Sequence, residues 1–276
     1  MNDLLPGMRL GAYEIISKLG AGGMSCVYKA HKDGAPVALK VISLSETASL
    51  VDSLRWEAEI GAKIGFHSNL VEIRDYAESE GLGYLCMEFI DGNNVDDIIM
   101  QERIQRKEKI GIRLALGIAR DVALGLQHMH DRNIIHRDVK PTNLLLNDRV
   151  KLFDYGIAFD LDRNLPKSRE GIIMGTEGFI PFEYFQSNDS HPPGDVFSLG
   201  ISLYLMLAKK VPFRDDHDWI QELHYNYPHK TDFLREKSVP EPVQAVCLKA
   251  IEKCLDNRYR SAAEFAEDLD RLLDNL

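Results

Sequence analysis

The feature that most constrains the fold of this chain is a change of hydrophobic pattern at Asp91-Gly92. Before that point, short β-rich runs are bounded by Gly, Asp and Ser turns: Tyr13 to Ile16, Cys26 to Lys29, Val37 to Ile42, Leu70 to Tyr76 and Tyr84 to Phe89. One helical pattern, Glu46 to Ile64, interrupts these runs. After that point, long helices are predicted at Lys109 to His130, Pro193 to Ala208, Glu241 to Cys254 and Ala262 to Leu273. The sequence therefore predicts an α+β chain with a small sheet-rich lobe followed by a larger helical lobe.

Composition and charge narrow the class of protein. Of the 276 residues, 45% are hydrophobic, which is enough for a well-buried core in one large domain or two closely joined ones. The formal net charge of -10 argues against nucleic acid or an anionic membrane as the main partner, because both require a basic surface. The four cysteines are scattered, which predicts a reduced, cytoplasmic chain without a metal framework. The longest apolar run, Val196 to Ala208, is too short for a membrane span and predicts a buried helix.

A glycine-rich segment lies between the first two strand patterns. Gly20, Gly22 and Gly23 lack side chains, so the backbone N–H groups around them can approach phosphate oxygens. Taken alone this signal is weak, because a plain hairpin turn explains the same glycines.

A lysine in the third strand pattern requires an anionic partner. Lys40 ends the apolar run Val37-Ala-Leu-Lys40, and a charged group held in such a strand is costly unless it is paired. Glu57, on the helix that follows, can supply the partner charge, and Glu59 is the rival candidate.

The most specific signal is the run His136-Arg-Asp138-Val-Lys140-Pro-Thr-Asn143, which precedes a short strand pattern. Its six specified positions coincide by chance on the order of once in 10^5 or more chains of this length. Asp154-Tyr-Gly156 begins 11 residues beyond Asn143, and Gly175-Thr176 and Pro181-Phe-Glu183 follow. A base, an amide oxygen and a carboxylate, from Asp138, Asn143 and Asp154, form the hard oxygen set that Mg-phosphate chemistry uses.

Taken in order, these motifs resemble those of eukaryotic-like protein kinases. Two segments resemble the bacterial branch of that family: Gly-Ala-Gly-Gly-Met and Asn257-Arg-Tyr-Arg-Ser-Ala-Ala-Glu. The resemblance runs from about Tyr13 to Leu273. It implies a bilobal protein-kinase fold in a single domain over 1-276, with an N-lobe of about 1-90, a hinge of about 88-92 and a C-lobe of about 93-276. The implied activity is transfer of the γ-phosphoryl of Mg-ATP to Ser/Thr hydroxyls of protein substrates and of the chain itself.

Two other classes of protein share part of this set of motifs. A pseudokinase-like nucleotide-binding signalling module usually lacks the equivalents of Lys40, Asp138 or Asp154, and all three are present. A small-molecule kinase of the aminoglycoside type shares the base and metal ligands but lacks a protein-docking activation segment, which Gly175-Thr176 and Glu183 indicate here. Lys140 together with Thr176 favours Ser/Thr over Tyr acceptors.

The resemblance also implies a role for each matching residue. Asp138 accepts or orients the proton of the substrate hydroxyl, Lys140 steadies the γ-phosphate, and Thr176 helps to shape the acceptor pocket. Lys40, held by Glu57, orders the α and β phosphates. Magnesium, or manganese, is held by Asn143 and Asp154. The implied nucleotide pocket consists of Leu19, Gly20, Gly22, Gly23, Val27, Ala38, Lys40, Met87, Glu88, Ile90, Asn94 and Leu145, with Asn94 at the ribose.

Structural and regulatory roles follow from the same resemblance. Glu183 and Arg258 match the pair that ties the activation segment to the helical lobe, although Arg260 is close by. Asp195 matches the acid that braces the catalytic loop.

Departures from the family pattern are Ser25 in place of the third loop glycine, Tyr155 in Asp154-Tyr-Gly156, and Pro181-Phe ahead of Glu183. None of them removes a phosphate ligand, a metal ligand or the base. The phenol of Tyr155 must find a hydrogen-bond partner if it is buried.

A regulatory site is predicted in the segment after Asp154. A phosphate on Ser168, between Lys167 and Arg169, could bind the guanidinium of Arg137. The alternative is that Glu170 or Asp160 meets Arg137 without modification. The expected partners are protein substrates and ATP, with a dimer through the N-lobe left open.

Overall fold

The computed structural model describes residues 3–22, 25–105, 110–163, 174–184, 190–212 and 232–276. Backbone contacts divide the chain into two compact units. Unit 1 comprises Met1–Asp91 with Asp154–Gly156, and unit 2 comprises Gly92–Phe153 with Ile157–Leu276. The division after Asp91 falls inside the predicted hinge, whereas a single domain over 1-276 stays a prediction.

Unit 1 is built on a six-stranded antiparallel sheet in the order β1-β2-β3-β4-β6-β5. The strands are β1 (Arg9–Leu10), β2 (Tyr13–Ala21), β3 (Cys26–Lys32), β4 (Ala35–Ser43), β5 (Ile73–Ser79) and β6 (Leu82–Glu88). Two-residue turns, Asp33-Gly34 and Glu80-Gly81, join β3 to β4 and β5 to β6. All four turn residues have positive φ, which suits the right-handed twist of the paired strands.

Helix α1 (Ala48–Ile64) packs closely against this sheet. A Cβ at Gly61 would lie 2.3 Å from Cγ1 of Ile73, so only glycine permits the observed approach of the helix to β5. The helix ends at Gly65, whose φ of 67° is in the left-handed region that glycine adopts readily. Because α1 turns one face inward, Glu57 is buried together with Leu54 and Ile60.

Unit 2 is mainly helical. Its helices are α2 (Val95–Gln105), α3 (Ile112–His130), α4 (Pro192–Ala208), α5 (Asp232–Glu236), α6 (Glu241–Ala250) and α7 (Ala262–Asp274). Its short strands are β7 (Asn93–Asn94), β8 (Ile134–Ile135), β9 (Leu144–Leu146), β10 (Val150–Leu152) and β11 (Phe159–Asp160). These strands form two small sheets, β10-β9-β7 and β11-β8. The structure confirms the α+β class.

Helix α4 is the buried helix that the apolar run predicts. Nearly all of its residues from Gly194 to Ala208 are buried. It begins at a Pro192-Pro193 pair, which suits the first helical turn because the amides there have no intrahelical acceptor. Its N-terminal turn carries Asp195, so the central helix of unit 2 places a carboxylate in the interior.

Some boundaries differ from those predicted. Helix α2 was missed, because its apolar residues are too few for a clear helical period. The strand expected at Leu70 to Tyr76 is observed at Ile73–Ser79, because the residues before Ile73 connect α1 to the sheet. The helix expected to reach Cys254 ends at Ala250, and a 3-10 turn, Leu255–Asn257, follows. Among the described residues, no helix is long and apolar enough to cross a membrane.

Candidate active site

In unit 1, Lys40 forms the expected ion pair. Its Nζ lies 2.7 Å from Oε2 of Glu57 and 3.1 Å from Oδ1 of Asp154, so Glu57 rather than Glu59 is the partner. The Glu57 side chain is 3% exposed, and this burial raises the carboxyl pKa, with Lys40 opposing the effect. Burial also disfavours the charged form of Lys40, but the two carboxylates outweigh it and raise the lysine pKa. Lys40 therefore keeps its positive charge at neutral pH.

The glycine-rich segment lies at the β2–β3 turn. Leu19 and Gly20 are in β2, Gly20 pairs with Val27 of β3, and the N–H of Gly22 donates to the Ser25 carbonyl at 2.8 Å. Gly23 lies outside the described residues. The Gly20 Cβ position has no atom within 4 Å, so the backbone is uncrowded there.

Other predicted pocket residues lie on adjacent strands or just after them. Ala38 of β4 pairs with Met87 of β6, and both are buried. The Glu88 N–H already donates to the Glu72 carbonyl at 2.9 Å. Ile90 follows β6 and is partly buried. Contact of these residues with an adenine ring stays a prediction.

In unit 2, three predicted residues, Lys140, Asn143 and Thr176, contact the Asp138 carboxylate. Lys140 Nζ lies 2.7 Å from Asp138 Oδ2, and the Thr176 hydroxyl donates to Asp138 Oδ1 at 2.6 Å. Lys140 also donates to the Thr176 hydroxyl. The Asn143 amide donates to the Asp138 carbonyl at 2.8 Å and to Oδ2 at 2.9 Å. The carboxylate thus has a cation, a hydroxyl and an amide within hydrogen-bond distance.

Asp195 braces the segment that presents Asp138. Its two carboxylate oxygens accept the backbone N–H groups of His136 and Arg137, each at 2.8 Å. His130 Nε2 contacts Oδ2 at 2.8 Å. Burial alone would raise the pKa of Asp195, but these hydrogen bonds and the histidines hold it below its usual value. Arg137 has a φ of 71°, so this bracing fixes a backbone conformation that a non-glycine residue rarely adopts.

The Arg137 side chain is also held within unit 2. Its Nε donates to the Ser190 hydroxyl at 2.7 Å, and its guanidinium carbon lies 4.1 Å from the centre of the Phe159 ring. Sequence reasoning missed Ser190, because nothing local marks a serine 53 residues away as a partner. Ser168 lies outside the described residues, so its pairing with Arg137 stays a prediction.

Asn94 and Leu145 pair with each other between β7 and β9. The Asn94 amide donates to the Thr142 carbonyl, and its Oδ1 accepts the Asp96 N–H at 2.8 Å. Asn94 therefore caps the start of α2, and the Asn-x-Asp sequence is the signal that could have revealed that helix. A ribose contact by Asn94 stays a prediction.

Asn143 of unit 2 and Asp154 of unit 1 each carry an oxygen atom that suits magnesium, and the binding of one ion by both stays a prediction. The Asn143 NH₂ group donates to Asp138, which leaves its carbonyl oxygen as the acceptor. The Asp154 side chain is 39% exposed, and its Oδ1 lies 3.1 Å from Lys40 Nζ. An amide oxygen and a carboxylate are oxygen donors of the kind that Mg²⁺ prefers.

Comparison with known proteins identifies the family. The profile of the protein kinase domain matches residues 13–268. The chain is 34% identical to the serine/threonine-protein kinase PknB of Mycolicibacterium smegmatis, over 94% of this chain and 43% of that protein. It is 29% identical to the tyrosine-protein kinase MasK of Myxococcus xanthus, over 95% of this chain and 43% of that protein.

The fold is also similar to a solved structure. The PknI kinase domain of Mycobacterium tuberculosis superimposes with a TM-score of 0.72 at 22% identity, covering 98% of this chain and 99% of that one. The chain spans about two fifths of the length of the curated relatives it matches. With its matched motifs, this shared fold and a family profile that covers nearly its whole length, the chain belongs to the protein kinase domain family.

Proposed function

We propose that this chain is a serine/threonine protein kinase that transfers the γ-phosphoryl group of Mg-ATP to protein hydroxyls. The observation that carries the proposal is the set of contacts around Asp138, in which Lys140, Asn143 and Thr176 all reach one carboxylate. A carboxylate held in one orientation by a lysine, an amide and a hydroxyl is positioned to receive a proton from an alcohol.

In the proposed reaction, Asp138 accepts the proton of the acceptor hydroxyl as its oxygen bonds to the γ-phosphorus. The bond between that phosphorus and the bridging oxygen breaks, and ADP leaves. Lys140 offsets the negative charge of the transferred group, and Thr176 keeps the Asp138 carboxylate in one orientation. Catalysis is then mainly positional and electrostatic.

The remaining residues bind the nucleotide in this proposal. Lys40, charged and held by Glu57, would bind the α and β phosphates. Asn143 and Asp154 would hold magnesium, which when bound supplies positive charge to the phosphate oxygens. The glycines at the β2–β3 turn would offer backbone N–H groups to the same phosphates.

The acceptor class rests on the Lys140–Thr176 contact and on the name of PknB, whereas MasK is named a tyrosine-protein kinase. The test is to incubate purified protein with γ-labelled ATP, Mg²⁺ and a protein substrate, followed by phospho-amino-acid analysis. Phosphoserine and phosphothreonine are expected, and Asp138→Asn should abolish incorporation while retaining ATP binding. Phosphotyrosine alone would overturn the acceptor class. ATP binding without transfer would establish the pseudokinase-like module instead.

We also propose a cytoplasmic location and protein substrates rather than nucleic acid. All four cysteines are free thiols, as a reducing compartment favours, and the net charge of -10 disfavours a polyanionic partner. A dimer through the N-lobe remains a hypothesis that sedimentation of the purified chain would test.

A further inference from the structure

The three residues Asp154–Gly156 are grouped with unit 1, although their neighbours on both sides are grouped with unit 2. Each residue of this segment contacts another residue of unit 1. Lys40 Nζ contacts Asp154 Oδ1 at 3.1 Å, and the Ser53 hydroxyl donates to the Gly156 carbonyl at 3.3 Å. Between them, the hydroxyl of Tyr155 donates to the Val71 carbonyl at 2.9 Å.

Tyr155 is one of the departures from the family motif, and its hydroxyl adds the hydrogen bond to the Val71 carbonyl. The side chain is 1% exposed, so its phenol requires an internal partner, and the Val71 carbonyl provides it. Burial raises the pKa of Tyr155 above its usual value. A phenylalanine would fill the same space and leave the Val71 carbonyl without this donor.

The backbone beside Tyr155 requires support. Asp154 has a φ of 68°, a conformation that a residue with a side chain keeps only where its surroundings enforce it. The Tyr155 backbone amide hydrogen-bonds the Glu57 carboxylate, and a Cβ at Gly156 would lie 3.6 Å from Glu57 Oε2. The segment therefore contacts helix α1 at Glu57 and is hydrogen-bonded to the Val71 carbonyl as well.

We propose that the Tyr155 hydroxyl is a positioning group, whose hydrogen bond to the Val71 carbonyl keeps the Asp154 carboxylate in place beside Lys40. The inference rests on the proposed function in one respect, namely that Asp154 is the magnesium ligand. Tyr155 touches no reacting atom; it acts through the backbone of the residue before it.

The first test measures the local stability of the Tyr155 and Gly156 backbone in nucleotide-free protein. Hydrogen exchange at the Tyr155 and Gly156 amides should accelerate about three- to tenfold in Tyr155→Phe, which corresponds to the loss of one ordinary hydrogen bond. The matched control is Tyr259→Phe, because Tyr259 is also 1% exposed and donates to Asp268 Oδ2 at 2.8 Å within unit 2. That control should leave exchange at Tyr155 and Gly156 unchanged.

The second test measures the consequence for the metal. Dissociation constants for ADP with and without Mg²⁺ should show Mg-ADP binding weakened about three- to tenfold in Tyr155→Phe, with Mg-free ADP binding unchanged. Ser53→Ala, which removes a longer hydrogen bond to the same segment, should act in the same direction and less strongly.

The outcomes separate the inference from the proposed function, because neither measurement needs phosphoryl transfer. Unchanged amide exchange in Tyr155→Phe overturns the positioning role whatever the activity of the chain. Faster exchange with equal loss of ADP affinity with and without Mg²⁺ also overturns it, since the effect would then be general loosening of unit 1. Faster exchange with a Mg-specific loss supports it, even in a chain that proves unable to transfer phosphate.

Discussion

Replacement of Glu183 by alanine should destabilise unit 2 severely, because it leaves a buried guanidinium without its counter-charge. Arg258 Nη1 lies 2.6 Å from Glu183 Oε1 and Nη2 lies 3.1 Å from Oε2. The Arg258 side chain is 0% exposed and that of Glu183 is 11% exposed. The remaining donors of Arg258 go to three backbone carbonyls, those of Glu252, Pro193 and Lys253.

The size of the effect follows from this geometry. Breaking a buried ion pair by removing one partner costs about 3–5 kcal/mol, against a total stability of about 5–15 kcal/mol for a domain. At about 2–4 °C per kcal/mol for a chain of this size class, Glu183→Ala should lower the Tm by roughly 10 °C. Urea unfolding followed by circular dichroism, together with a thermal scan, measures both quantities.

Two further variants test the reasoning. Glu267→Ala removes a carboxylate that is 69% exposed and 3.7 Å from Arg271, so its effect should stay within about 0.5 kcal/mol. Replacing both buried partners, by Glu183→Leu with Arg258→Met, should recover part of the lost stability, because no unpaired charge remains. A loss below about 1 kcal/mol in Glu183→Ala would refute the argument that this pair is electrostatically isolated from water.

Three other changes probe the site. Thr176→Ala removes a hydroxyl 2.6 Å from the Asp138 carboxylate and should lower kcat about 10- to 100-fold in a peptide phosphorylation assay. Thr176→Ser should stay near wild type, and equal losses in both variants would contradict the prediction. Glu57→Gln neutralises the carboxylate 2.7 Å from Lys40 and should lower kcat/KM for ATP about 10- to 100-fold. Glu59→Gln should leave kcat/KM unchanged. A larger loss in Glu59→Gln than in Glu57→Gln would show that the ion pair is misassigned. Ser168→Ala should slow substrate phosphorylation several-fold and remove an autophosphorylation site detected by mass spectrometry. Unchanged activity without phosphate on Ser168 would exclude that switch.

Several contacts of this site could be predicted from residue type and spacing in the sequence. Lys40 in an apolar strand required an acid, and Glu57 on the next helix is that acid. Thr176, which is expected to shape the acceptor pocket, has its hydroxyl in contact with both Asp138 and Lys140. These inferences succeeded because residue type, spacing and element type restrict which partners a buried charge can have.

The pairing of Glu183 with Arg258 was also anticipated, although Arg260 stood close by. Burial decides between the two arginines, since Arg258 points into unit 2 while Arg260 is exposed. Near an irregular turn, no helical or strand periodicity in the sequence indicates which way a side chain points. The choice between neighbours therefore required the packed structure.

The sequence by itself determined the change from a strand-rich part to a helical part, the oxygen and lysine chemistry of the motifs, and the family to which they correspond. Tertiary structure alone decided which distant groups meet: Lys40 with Asp154 across 114 positions, and Tyr155 with the carbonyl of Val71 across 84. A buried Tyr155 is expected to need a hydrogen-bond acceptor, but an acceptor on the backbone is not marked by any residue type. Such contacts depend on how close two elements pack, a distance set by the sum of many small contacts rather than by any one residue.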